Sequence, residues 1–89
     1  MNTDNRTLNL CKALGWQGGT IHQVAEATGV DTGTLLYGKP SSESTASDYS
    51  LGWFAARTCS FEYNRDHNFR AFHGVADFWL GVAEGFNGY

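Results

Sequence analysis

At 89 residues, with 42% hydrophobic and 15% aromatic content, the chain is sized for one small domain and lies outside the disordered regime. Its formal net charge of −3 supplies no long-range attraction toward nucleic acid. Cys11 and Cys59 share no Cys-x-x-Cys spacing, which argues for reduced thiols in the cytoplasm, and neither a secretory leader nor an apolar run of about 20 residues for a membrane span is expected.

The first predicted element is a helix over about residues 4 to 14, capped by Thr3 or Asp4, with Leu8, Cys11 and Leu14 at helical spacing. Gly15 ends it, Trp16 is placed to pack back on Cys11, and Gln17-Gly18-Gly19 forms a turn. Thr20 and Gln23 then make a capping box for a second helix carrying Ile21, Val24, Ala25 and Thr28 on one face. Gly29 sits where a helix stops in a left-handed residue, and Val30 folds back toward Ala25. Asp31 caps a third helix that halts at Gly38 and Pro40.

Residues 20 to 38 resemble a helix-turn-helix, with Val24, Ala25, Gly29, Val30 and Leu35 matching its pattern of small and aliphatic positions. Thr28 and Gly38 depart from it, since both places usually hold apolar side chains. The resemblance implies a trihelical half over residues 1 to 38 whose last helix enters the DNA major groove. Thr32 and Thr34 would then lie at the duplex, with Arg6, Lys12 and Lys39 on phosphates. Charge opposes this, because residues 19 to 38 hold no lysine or arginine while Glu26 and Asp31 are acidic.

Residues 39 to 45, K-P-S-S-E-S-T, read as a connector within one domain. Thr45 and Asp48 suggest another capped start, and Ala46, Tyr49, Trp53 and Ala56 recur on one side of a helix over 46 to 60. The polar run Glu62 to Asn68 reads as a loop. Phe69, Phe72, Ala76, Trp79, Ala83 and Phe86 then form the apolar stripe of a helix stopped at Asn87-Gly88. The two helices are expected to form an antiparallel aromatic hairpin over residues 46 to 89. Glycines 52, 74, 81 and 85 would each cost such helices about 1 kcal/mol relative to alanine, which a close helix crossing would offset. A rival reading makes T-G-T-L-L-Y a strand paired with S-F-E-Y.

His22, His67 and His73 share no metal-ligand spacing with the cysteines, and no nucleophile signature or phosphate loop accompanies Glu62, Asp66 and His67. No cofactor, metal, membrane or small-molecule substrate is therefore expected, and no enzymatic activity. The expected fold is all-α, with four to five helices. Two functions remain, both of the small accessory kind found in bacteria, phages and plasmids. One is a DNA-binding regulator, dimerising through the aromatic half. The alternative is a protein-interaction module, an inhibitor or adaptor of a larger complex, with Arg57, Tyr63, Arg65 and Arg70 at its contact surface.

Overall fold

The first helix, α1 (Thr3–Ala13), buries Leu10, Cys11 and Ala13 and ends at Gly15, whose φ of 82° only glycine adopts readily. The Trp16 amide then donates to the Cys11 carbonyl at 2.9 Å, so the expected fold-back of Trp16 is present. The computed structural model describes residues 3–40 and 46–86, and every regular element among them is helical. Thr3 is already inside α1, and the side chains of Thr3 and Asp4 lie outside the described ones, as do Thr45, Asn87 and Gly88 with their expected capping and stop roles.

Helix α2 (Ile21–Thr28) begins with the expected capping box, in which Thr20 Oγ1 accepts from the Gln23 amide at 3.3 Å and Gln23 Oε1 accepts from the Thr20 amide at 2.8 Å. Such a cap contributes about 1 kcal/mol. Gly29 is left-handed at φ 76° and donates to the Ala25 carbonyl. Three residues later α3 (Thr32–Tyr37) starts, capped by Asp31. Its segment T-G-T-L-L-Y is a helix and not a strand, because Asp31 satisfies the amide of Thr34 at 3.0 Å and Leu35 is fully buried. Thr28, too polar for its place by sequence, is buried without cost to hydrogen bonding. Its hydroxyl donates to Val24 O at 2.9 Å and accepts from the Val30 amide at 3.3 Å.

Helices α4 (Ala46–Thr58) and α7 (Ala76–Gly85) form the most intimate pair. A Cβ on Gly52 would fall on the Phe78 carbonyl, one on Gly81 on the Tyr49 carbonyl, and one on Gly85 within 2.6 Å of the Trp53 carbonyl. The backbones are in contact, which is the offset that the interior glycines required. Phe78, Trp79, Leu80, Val82 and Ala83 are all buried around this crossing. Trp79 donates its indole N–H to Phe72 O at 3.0 Å and packs on Phe69 with ring centroids 4.8 Å apart. From Tyr49 to Arg57 the partners on α7 advance from Gly81 and Glu84 to Gly85. The two helices therefore run in the same direction.

That direction corrects the expected hairpin, for parallel helices need a return element between them. The polar run supplies it: α5 (Phe61–Tyr63), a π-helical turn (Asn64–Asn68) and α6 (Phe69–Ala71) form one continuous rod over residues 61–71. Ser60 caps its start, accepting from the Tyr63 amide at 3.1 Å. Gly74, read from sequence as a helix interior residue, instead has φ 83° and ends the rod, so the aromatic stripe of 69 to 86 is divided between two helices. Its amide donates to Thr28 O at 2.7 Å, docking this break on the α2–α3 turn.

Candidate functional site

Two surfaces carry the residues singled out by sequence. The first is the α2–turn–α3 unit. Thr32 and Thr34 are half-buried, and the Thr34 hydroxyl donates to Asp31 Oδ1 at 2.8 Å. That hydrogen bond, then the Thr34 amide, holds the Asp31 carboxyl below its usual range, so a negative charge stands at the start of α3. The His73 imidazole lies against Gly29, where an added Cβ would come within 2.6 Å of it.

Lys12 and Lys39 are exposed, whereas Arg6 is 7% exposed and faces inward. One of its nitrogens donates to Leu35 O at 3.2 Å and Gly38 O at 2.9 Å, the carbonyls at the end of α3. Another pairs with Glu84 Oε2 at 3.3 Å. The Tyr49 hydroxyl donates to Glu84 Oε1 at 3.0 Å, and burial, with this contact, pushes the phenol pKa up. A guanidinium has donors enough for two carbonyls and a carboxylate at once, and here it ties α1 to α3 and α7, with α4 joined through Tyr49 on Glu84. Arg6 is thus withdrawn from the expected phosphate contacts.

The second surface is a groove of about 240 Å³ between α4 and the rod. Leu51, Phe54 and Tyr63 stand at its edges, 51%, 57% and 52% exposed, and Ala55, Phe72 and Phe78 lie deeper. Thr58, Cys59 and Asn68 are its polar lining, and no charged side chain lines it. Of the four expected contact residues, only Tyr63 reaches it. Arg57 lies over the Trp53 ring at 5.1 Å, and Arg65 lies over Phe61 at 5.3 Å while paired with Asp66 at 2.8 Å. The pair lowers the Asp66 pKa and raises that of Arg65. Arg70 is exposed on the outer side of the rod. Leu51 and Phe54 were not singled out by sequence. They carried a signal nonetheless, as large apolar residues on α4 off the stripe of Ala46, Tyr49, Trp53 and Ala56.

A wider depression of about 370 Å³ lies between α1, the glycine turn and α3. Leu8 is its only strongly exposed large apolar side chain, and burial pushes the pKa of the Cys11 thiol beneath it up. It offers a shallow apolar contact and no reactive group. Among the described residues no three histidine, cysteine or acidic side chains gather as metal ligands, and no helix is long and apolar enough to cross a membrane.

Comparison of the chain with protein-family models, with curated proteins and with solved structures finds no match.

Proposed function

We propose that the chain is a non-catalytic protein-interaction module, an inhibitor or adaptor, that binds its partner in the groove between α4 and the rod. The observation that carries this reading is the combination of three half-exposed large apolar side chains around one uncharged concavity. Aromatic and aliphatic groups at a groove edge are the usual anchors for a partner helix or extended segment, and contiguous apolar surface of this kind is where monomeric proteins bind. Selection of displayed peptides on the full chain tests it. Enriched peptides should share uncharged apolar anchors and be lost on Phe54→Asp. No enrichment, or enrichment that ignores Phe54→Asp, rejects the groove as the site.

The second reading, a DNA-binding regulator, draws on the left-handed Gly29 and the three-residue turn between α2 and α3. The Asp31 charge and the inward Arg6 weigh against it. With Lys12 and Lys39 as phosphate contacts, log K would fall with log salt at a slope of only about −1.8. Retention of particular genomic fragments at low salt, lost on Thr34→Glu, would establish the regulator in place of the interaction module.

A further inference from the structure

We propose that the π-helical turn Asn64–Asn68 is a register device that builds the groove: by absorbing one residue, it sets Tyr63, Asn68 and Phe72 on one wall. The inference rests on the groove being the binding surface, and it names what positions that surface. Along the rod, Phe61, Asn64 and Phe69 line a small cavity of about 70 Å³, while Tyr63, Asn68 and Phe72 line the groove. Each set contains an interval of five, Asn64 to Phe69 and Tyr63 to Asn68. In an unbroken α-helix such residues stand about 140° apart, and Tyr63 and Phe72 stand about 180° apart. One residue absorbed in a wider turn brings the first kind of pair to about 40° and the second to about 80°.

The hydrogen bonds of the turn show what holds it. The Phe69 amide donates to Asn64 O, five residues back. The Asn64 side chain is buried, donates to Ala55 O at 2.9 Å and accepts from Asn68 Nδ2 at 2.8 Å. Asparagine can do both because its amide carries a donor and an acceptor. Asn64 thus anchors the turn to α4 on one side and orients Asn68 in the groove wall on the other. Both are positioning residues. Without the extra residue, Phe69 would swing away from Trp79 and Tyr63 would lose Phe72 as its wall partner.

Deletion of Asp66, compared with Asp66→Ala, separates register from side-chain chemistry, since both remove the carboxylate and only the deletion restores the α-helical count. Nuclear Overhauser contacts in the free full chain are the readout, so no ligand is needed and failure of the binding reading would not mimic failure here. Contacts between the Phe69 and Trp79 rings, whose centroids lie 4.8 Å apart, should persist in Asp66→Ala and vanish in the deletion, with the Gly81–Trp53 contacts kept in both. Persistence of the Phe69–Trp79 contacts in the deletion would overturn the proposal. If the deletion does not fold, the scalar coupling across the Phe69 hydrogen bond in the parent decides. Coupling to the Asn64 carbonyl carbon supports the π turn, and coupling to that of Arg65 overturns it.

Discussion

Helix α4 meets a neighbour on each of two sides, and the two contacts are built on opposite rules. Toward α7 it presents Gly52 to the Phe78 carbonyl and the Tyr49 and Trp53 backbone to Gly81 and Gly85, and the backbones close until no side chain fits between them. Toward the rod it presents Leu51, Phe54 and Thr58, and a gap of about 240 Å³ is left open. Small residues on one side give the domain its rigid core, while large residues on the other face water. In so small a domain, the energy of folding is concentrated where the chain is tightest. The open side is therefore free to be used, and its loss should leave the fold intact.

The largest effect is expected at the closed side. Gly81→Val places a side chain on the Tyr49 backbone, which cannot repack, and should lower stability by at least about 3 kcal/mol or abolish cooperative unfolding. An unaltered melting transition would show that the helices are not in backbone contact. Trp79→Ala, removing a side chain 1% exposed, should cost about 3–5 kcal/mol in chemical denaturation. Gly29→Val should cost about 1–3 kcal/mol through its positive φ, with the His73 contact adding to it. A parent-like stability there would show that the α2–α3 turn does not depend on a left-handed residue at Gly29.

A smaller effect is expected from acid. The Asp31 carboxyl has a lowered pKa in the folded chain, so the unfolded chain binds its proton first as pH falls. Its contribution is fully present above the ordinary carboxylate range and is lost as pH drops through the lowered folded value. The stability difference between the parent and Asp31→Asn should narrow over that window in denaturation series at several pH values. A difference that stays constant would show that the cap does not depend on charge.

What was legible in the sequence follows the same division. The capping box at Thr20, the left-handed Gly29 and the crossing glycines 52, 81 and 85 were readable, because each depends on residues within a turn or on one helix face. The rod was not. Its interval of five matches neither helical nor strand period, and Asn64, Arg65, Asp66 and His67 have the composition of a loop. Gly74 read as one more helical glycine because its role, an amide bonded to Thr28 O, lies on a distant element. Arg6 was read as a surface cation, and its partners, Leu35, Gly38 and Glu84, lie 29, 32 and 78 residues away. Position in a tertiary network leaves no local mark. The groove was not legible: Tyr63 was named only as a contact residue beside three arginines that lie outside it, and Leu51 and Phe54 could have been found by projecting α4 and asking which large residues fall off its apolar stripe.

If the chain binds a protein partner as proposed, the contact belongs to the open side of α4 and not to α3. Amide shift mapping of the labelled full chain, titrated with a peptide selected on it, tests this most directly. Shifts are expected at Leu51, Phe54, Thr58, Tyr63 and Asn68, with Thr32 to Tyr37 unmoved. Shifts concentrated on α3 instead, with the groove silent, would contradict it.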